Sequence, residues 1–320
     1  MKYLARRLAF YLVAAWASIT LAFIIPRLMP GDPAQALFAR FHGKLKPEAI
    51  ESLKEAFGFT HESLWSQYGS YLRHVLTGDL GVSVSYFPAK VGDVIATGLV
   101  WTLFLTGFAV VISYALGTFL GIVSAWRRRG WIDRTLPPLF VFLGAFPFFW
   151  LAMLLLFVFG YTLGWTPVRH AYGDDFTVWS VLTHAALPAI TIVIATAGSW
   201  MLDMRNTMIG VLGEDYITLA HAKGLHPRRV MLRYAARNAL LPNITGFGMA
   251  LGFVLSGSLL TEIVFSYPGQ GYLLIQAVHS LDYPLIQGLF LTITMAVLGA
   301  NLLVDCVYVW LDPRARGGAK

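Results

Sequence analysis

Charged residues are scarce in this sequence. Asp, Glu, Lys and Arg account for 13% of the 320 residues, against roughly 25% in a typical soluble domain. Hydrophobic residues account for 57%, and the mean hydropathy is +0.63. A chain this apolar cannot bury its side chains in one soluble core. The composition therefore excludes a soluble globular protein and predicts a lipid environment.

Cysteine is nearly absent as well. The single cysteine, Cys306, lies in an apolar run, which excludes a disulfide framework or a cysteine metal cluster. A phosphate-binding loop is also missing, because Gly43-Lys44 lacks the upstream glycine spacing and the following Ser or Thr of that motif. The chain is therefore not expected to hydrolyse ATP by itself.

Six runs without Asp, Glu, Lys or Arg are about as long as a membrane-spanning helix, which needs about 20 apolar residues. These runs are 8–26, 97–126, 135–168, 183–202, 238–261 and 283–304. In the long third run, Pro137-Pro138 and Pro147 are expected to bend or delimit the helix. No segment alternates with period two, so the spans are predicted to be helices rather than strands of a barrel. The first span is expected to be uncleaved, because no small-residue cleavage site follows it.

The positions of the basic residues predict the orientation. The net charge of +7 would also suit a nucleic-acid-binding protein. However, Lys and Arg gather at both termini and in the loops between spans 2 and 3 and between spans 4 and 5. The opposite loops, near 169–182 and 262–282, contain Arg169 as their only Lys or Arg residue. Since basic loops tend to stay in the cytoplasm, both termini are predicted to be cytoplasmic.

The segment between spans 1 and 2 is predicted to form a small ordered extracytoplasmic subdomain. Within it, residues 47–58 have the pattern of an amphipathic helix ended by glycine. Trp65, Tyr68 and Tyr71 then recur at helical spacing.

Two stripes of small residues predict close contacts between helices. Span 2 has Ser113, Gly117, Gly121 and Ala125, and span 5 has Gly248, Gly252 and Ser256, each at intervals of four residues. Small residues let helix backbones approach closely in lipid. Both stripes are expected to pack against other helices within the chain, and the span 5 stripe has the alternative of lining a pathway or a partner interface.

No predicted span carries an ionisable pair at mid-membrane. His184 and Asp305 lie near span ends and are interpreted as local hydrogen-bonding residues. Transporters driven by ion gradients keep costly buried charges for coupling. Their absence from the spans weakens an ion-coupled mechanism.

The stretch between spans 4 and 5 is the most informative. The run from Glu214 to Lys223 has helical character, with acidic residues at its start and a lysine at its end, as the helix dipole favours. Gly224 follows at the position beyond the C-cap where glycine is preferred. A second helical pattern runs from Arg228 to Pro242, where span 5 is expected to start. The stretch is therefore predicted to be a helix–turn–helix at the inner membrane surface.

One face of the first of these helices carries Tyr216, Ala220 and Gly224 at intervals of four residues. Only small residues follow the tyrosine, so this face would let another surface approach closely. The basic residues around it are Arg228, Arg229, Arg233 and Arg237. Because arginine pairs with acidic groups and with lipid phosphates alike, the residues alone leave docking to a partner and anchoring to lipid both open.

The same stretch resembles the EAA loop of ABC importer permeases. The matching residues are Glu214-x-Tyr216-x3-Ala220-x-Ala222-Lys223-Gly224-Leu225 and Arg237-Asn238-Ala239-Leu240-Leu241-Pro242. One departure is Leu219-Ala220-His221, where alanine-rich versions of the loop have Glu-Ala-Ala. Other motifs resemble the oligopeptide/dipeptide/nickel branch of the family. They are Pro30-Gly31-Asp32-Pro33, Gly78-Asp79-Leu80-Gly81-x-Ser83, Glu262-x-Val264-Phe265-x2-Pro268-Gly269-x-Gly271, Asp282-Tyr283-Pro284 and Asn301-Leu302-x2-Asp305-x2-Tyr308-x3-Asp312-Pro313-Arg314.

This resemblance implies an all-α membrane protein with the six-helix fold of type I ABC importer permeases. The implied regions are 1–29 (N-terminus and first helix), 30–96 (extracytoplasmic segment), 97–311 (five-helix core, including a cytoplasmic coupling loop at 205–242) and 312–320 (cytoplasmic tail). The residues implied to couple to an ATPase are Glu214, Tyr216, Ala220, Ala222, Lys223, Gly224, Leu225 and Arg228. Those implied to serve the pathway or helix packing are Gly248, Gly252, Ser256, Glu262, Phe265, Pro268 and Gly269.

The resemblance also implies partners in a bacterial or archaeal cytoplasmic membrane. These are a second, non-identical permease, two ATP-binding subunits that hold ATP and Mg²⁺, and an extracytoplasmic substrate-binding protein. No cofactor, metal or nucleic acid is expected on this chain. The expected substrates are di- or oligopeptides. The alternatives are an oligosaccharide, glutathione or a nickel chelate in the same class of importer, or an ion-coupled secondary transporter.

Overall fold

The computed structural model of the protein describes residues 2–30, 63–168, 170–173, 175–252, 254 and 259–311. This part of the chain is helical, and its extended pairing is limited to an isolated bridge between Val82 and Lys90. The helices are α1 (Lys2–Leu28), α2 (Leu64–Thr77), α3 (Val91–Trp126), α4 (Trp131–Gly144), α5 (Phe148–Leu155), α6 (Val178–Leu212), α7 (Asp215–Ala222), α8 (Arg237–Gly252), α9 (Leu259–Val264), α10 (Gln270–His279) and α11 (Tyr283–Leu311). A π-helix, Leu156–Thr162, extends α5, and a short helix, Pro227–Arg229, and a π-helix, Val230–Ala236, lead directly into α8.

Four stretches of helix are long and apolar enough to cross a membrane, and they confirm predicted spans 1, 2, 4 and 6. They are Arg7–Leu28, Val91–Trp126, Val178–Leu212 and Tyr283–Leu303. The predicted third span is instead a pair of helices, Trp131–Gly144 and Phe148–Thr162, bent by 101°. Pro147 delimits the second helix as predicted, since its missing N–H and fixed φ suit the position before a helix. Pro137 and Pro138 lie inside α4 without ending it.

The predicted fifth span, 238–261, is described in two parts, α8 and α9. A single span over these residues therefore stays a prediction. Pro242 does not separate this span from the preceding loop, because it lies inside α8 and the helical backbone runs from Pro227 to Gly252. The predicted helix at 47–58 and the tail at 312–320 lie outside the described residues.

The chain forms two compact units, the first from the described parts of Met1–Thr102 and Pro268–Lys320 and the second from Leu103–Tyr267. In the first unit, α2 packs on α1. The Thr20 and Tyr68 hydroxyls are 2.7 Å apart, and the Phe23 ring lies 5.5 Å from the Tyr71 ring. The helix predicted around Tyr68 and Tyr71 is therefore confirmed. A second contact region joins the start of α3, α10 and the start of α11 through a buried apolar cluster of Val91, Ile95, Leu273, Ala277, Leu285, Ile286 and Leu289.

In the second unit, α3 and α6 pack with almost no side chain between them. A Cβ atom added to Gly117 would lie 2.5 Å from the Ala197 carbonyl oxygen, and one added to Gly121 would lie 2.6 Å from the Met201 carbonyl oxygen. Beside them, the Ser113 hydroxyl lies 2.7 Å from a hydroxyl on α6. The small residues of span 2 therefore form a helix-packing surface within the chain, as predicted.

Candidate functional site

Residues 214–236 form a hairpin between α6 and α8, called the 214–236 hairpin below. Its first arm, α7, has Asp215 in the first turn, where a negative charge suits the helix dipole. The arm ends as predicted at Gly224, whose φ of +70° is accessible to glycine at little cost. The N–H of Leu225 closes the turn by donating to the Ala220 carbonyl at 3.3 Å. In the second arm, the ring of His226 accepts a hydrogen bond from the Arg228 N–H at 3.3 Å.

The buried side of the hairpin belongs to an apolar cluster, called the hairpin cluster below. Its members come from α3, α6, the hairpin itself and α8. They are Ala125, Met204, Met208, Ile217, Ala220, Val230, Ala235, Ala236 and Ala239. Around this cluster, the Trp126 ring at the end of α3 stacks on the His221 ring at 6.4 Å. The hairpin is thus fixed to the ends of three long helices rather than hanging from a flexible loop.

The orientation of α7 differs from the predicted one. Ala220 is only 3% exposed and faces the chain's own core together with Ile217. Tyr216, in contrast, is 37% exposed, and its hydroxyl accepts a hydrogen bond from Asn238 Nδ2 at 2.9 Å. The small face at Tyr216, Ala220 and Gly224 is therefore not one open surface. Ala220 packs inward together with Ile217, which lies three residues earlier on the same face of the helix.

The exposed side of the hairpin combines small, apolar and charged residues. Of the residues that the resemblance implied, those exposed are Glu214, Tyr216, Ala222, Lys223, Gly224 and Arg228, whereas Leu225 is half-buried and packs against the hairpin cluster. Leu219, which the resemblance did not mark, is 54% exposed. No atom lies within 4 Å of a Cβ built on Gly224. This side can therefore accept a close-fitting surface with both apolar and charged groups.

Beside the hairpin, the Asp133 carboxylate at the start of α4 accepts hydrogen bonds from three parts of the chain. The donors are Arg205 Nε on α6 at 2.6 Å, the Ser124 hydroxyl on α3 at 2.8 Å and the Arg129 N–H in the turn at 2.9 Å. The side chain of Asp133 is 8% exposed and that of Arg205 is 23% exposed. In the sequence, Asp133 and Arg205 lie in or beside two basic loops. Because they are 72 positions apart, no local pattern indicates that they form a pair.

The residues assigned to the pathway or to packing occupy different environments. Gly248 is exposed, and a Cβ built on it would meet no atom within 4 Å. Gly252 closes α8, and Ser256 lies outside the described residues. Glu262 and Phe265 are both buried in the second unit. The span 5 stripe is thus open at Gly248, whereas the motif that follows it turns inward.

Pro268 and Gly269 belong to the first unit, where Gly269 caps α10. The next residue, Gln270, donates from its N–H to the Thr102 hydroxyl at 2.9 Å. This end of the motif therefore anchors α10 to α3 within the unit. Its predicted role in a pathway stays a prediction.

Two other family-like motifs meet in the first unit. The fully buried carboxylate of Asp282 accepts hydrogen bonds from the Ser83 hydroxyl, from the Ser85 N–H at 2.7 Å and from the Leu285 N–H at 3.1 Å. Asp282 therefore caps α11 and fixes the loop before α3 to it, across 199 positions of sequence. Among the described residues, no group of three His, Cys, Asp or Glu side chains could hold a metal ion.

Comparison with known proteins shows which family the chain resembles. Residues 117–317 match the family described as the inner membrane component of binding-protein-dependent transport systems. A dipeptide transport permease of Alkalihalophilus pseudofirmus is 32% identical over 340 residues. A putative peptide permease of Brucella suis is 34% identical over 318 residues, and a glutathione transport permease of Pectobacterium atrosepticum is 36% identical over 317 residues. Each comparison covers 99% of both chains. The chain, with its several apolar helices, therefore belongs to the inner-membrane components of binding-protein-dependent transport systems and is an ABC importer permease of the peptide branch.

Proposed function

We propose that this chain is one of two permease subunits of an importer that carries short peptides across the cytoplasmic membrane. The observation that carries the proposal is its end-to-end similarity to permeases named for dipeptides, for peptides and for glutathione. Glutathione is itself a tripeptide, so these names describe ligands of related chemistry. The second permease is proposed to be homologous but non-identical. Substrate arrives on an extracytoplasmic binding protein.

The 214–236 hairpin is proposed to dock on an ATP-binding subunit at the cytoplasmic surface. Its buried side is fixed by the hairpin cluster, and its exposed side offers Leu219 and Ala222 beside Lys223 and Arg228. Because the other side of the helix is packed against the chain's core, a displacement of the docked helix moves that core with it. Ala220 contributes from the buried side, as an anchor rather than as a contact.

In this mechanism, ATP and Mg²⁺ act on the partner subunits, and this chain has no catalytic site. Closure of the ATP-binding subunits moves the docked hairpins. Because the hairpin cluster joins α7 to the ends of α3, α6 and α8, the displacement reaches all three helices together. The pathway then changes from inward-facing to outward-facing, as a two-state element biased by a ligand on its partner.

Cross-linking tests the docking surface. In a Cys306→Ser background, Leu219→Cys is expected to form a cross-link to an ATP-binding subunit of the assembled importer, because its side chain is 54% exposed on the hairpin. Ala220→Cys is the matched neighbour, which is buried and should not react. Trp131→Cys at the start of α4, 76% exposed and on the same predicted side of the membrane, controls for exposure alone. If Leu219→Cys gave no more cross-linked ATPase than Trp131→Cys, the docking proposal would be wrong.

Transport tests the function itself. Ala222→Trp, at an exposed small position of the hairpin, should abolish dipeptide uptake and substrate-stimulated ATP hydrolysis while the chain still inserts in the membrane. Ala222→Ser is the control, since it keeps the residue small and should leave both activities near the parent level. Uptake into proteoliposomes with radiolabelled dipeptide measures the effect. Competition by glutathione, an oligosaccharide or a nickel chelate, each with its own binding protein, decides among the substrate classes.

A further inference from the structure

The three donors on the Asp133 carboxylate come from parts of the chain that are otherwise separate. Ser124 lies two residues before the end of α3, the Arg129 N–H belongs to the turn, and Arg205 lies on α6. Asp133 itself is in the first turn of α4. One carboxylate therefore joins three helices and the turn between two of them. This arrangement is called the Asp133 clamp below.

The clamp lies directly beside the residues on which the 214–236 hairpin rests. Ser124 is followed by Ala125, and Arg205 is preceded by Met204; both neighbours are fully buried members of the hairpin cluster. A Cβ built on Gly121 would lie 2.8 Å from Met204 Cβ and 3.1 Å from the backbone nitrogen of Arg205. At this end of the two helices, α3 and α6 therefore touch through backbone and Cβ atoms. A directional ion pair beside this contact further fixes the register of the two helices.

Stability alone does not explain the charges at this place, where 8% of the Asp133 side chain and 23% of the Arg205 side chain are exposed. Replacing a buried ion pair by well-packed apolar residues is often neutral or stabilising, so such a pair is weak evidence for a stabilising role. Its best-attested use is to select one geometry among several. The short Arg205–Asp133 bond is supported by two further donors. Together these bonds fix the positions of the helix ends against which the hairpin packs.

We propose that Asp133 is a positioning residue for energy coupling. It keeps the ends of α3, α4 and α6 together, so that a displacement of the docked hairpin moves them as one body instead of sliding α3 past α6. Without the clamp, ATP hydrolysis continues, but a smaller share of the displacement reaches the spans. This inference rests on the proposed docking of the hairpin.

The test is the number of peptides transported per ATP hydrolysed, which a loss of folded protein alone does not change. In proteoliposomes with both permeases, both ATPases and peptide-loaded binding protein, Asp133→Asn should lower this ratio about tenfold, within the usual range of coupling between two sites. ATP hydrolysis should remain. Asp203→Asn is the matched control, because Asp203 is exposed on the same helix two residues from Arg205 and should keep the parent ratio.

Two milder variants keep the test decisive if Asp133→Asn does not assemble. Arg205→Lys retains the positive charge without the Nε donor, and Ser124→Ala removes one hydroxyl; both should lower the ratio by smaller factors. An unchanged ratio in both, or a ratio for Asp133→Asn equal to that of Asp203→Asn, would overturn the proposal. The Leu219→Cys cross-link separates the two proposals. If it is absent from the parent complex, docking itself is wrong. If it is present and the ratio is unchanged, only the role of Asp133 is wrong.

Discussion

The close contact between α3 and α6 gives a quantitative prediction. In Gly121→Ala, the new methyl group would stand 2.6 Å from the Met201 carbonyl oxygen and 2.8 Å from Met204 Cβ. Neither a carbonyl oxygen nor a Cβ atom can be moved by a side-chain rotation, so the two helices must separate. Overpacking of this kind costs about 1–3 kcal/mol. Alanine regains up to about 1 kcal/mol of helix propensity relative to glycine.

Gly107→Ala is the control for that propensity gain. Gly107 lies on the same helix, and a Cβ built there meets no atom within 4 Å. It should therefore raise the free energy of unfolding by up to about 1 kcal/mol. The difference between the two variants isolates the overpacking cost, about 1–3 kcal/mol.

Thermal unfolding of the purified chain in nanodiscs is the assay. A difference of about 2 kcal/mol corresponds to about 4–8 °C in Tm on the scale of domains of 150–250 residues. Gly117→Ala, with the same type of contact at 2.5 Å, should behave like Gly121→Ala. Equal midpoints for the Gly121 and Gly107 variants would show that the two helices do not touch at this point.

Three further predictions concern the hairpin and the first unit. Gly224→Ala should destabilise the hairpin by about 1–2 kcal/mol through its left-handed backbone alone, and Gly224→Asn by less; faster amide exchange of Leu225 would report it. Ala220→Leu should lower the Tm by overpacking the hairpin cluster, whereas Ala222→Leu should leave the Tm within 1 °C or so of the parent; equal losses would contradict the assigned orientation of α7. Asp282→Ala leaves the buried Ser83 hydroxyl and two N–H groups without their acceptor, at about 1–3 kcal/mol for each group left unpaired. Exchange of the Ser85 amide should accelerate accordingly, and unchanged protection would refute the cap.

Sequence patterns predicted the features that depend on neighbours along the chain. Runs of apolar residues identified four spans, because length and exclusion of charge are local properties. Gly224 was recognised as a helix stop, since a left-handed residue after a C-cap is most often glycine. The small residues of span 2 were recognised by their interval of four, which places them on one side of a helix.

Features that depend on distant residues were missed or misjudged. Nothing near Asp133 indicates that its partner is Arg205, and nothing near Ser83 indicates Asp282. The predicted orientation of α7 was wrong at Ala220, because the pattern of a helix of only eight residues does not show which side is buried. The buried side is the one that packs against Met204 and Met208 of α6. A break in the third run was expected at its prolines, but the angle of 101° was not, because prolines mark where a helix can stop and not the direction in which the chain continues.

The uninterrupted helical path from Pro227 to Gly252 has a geometric consequence. If each of its 26 residues rose by the α-helical 1.5 Å, it would be a rod about 39 Å long; this is an upper bound, because Val230–Ala236 is a wider π-helix. Arg228 and Arg229 lie at one tip, and Gly248 lies near the other. Tilting such a rod by about 10° about its first tip carries the far tip sideways by about 7 Å, since the arc grows with the length of the rod. A small tilt at the hairpin end of the helix can thus become a displacement wider than a side chain at the Gly248 end.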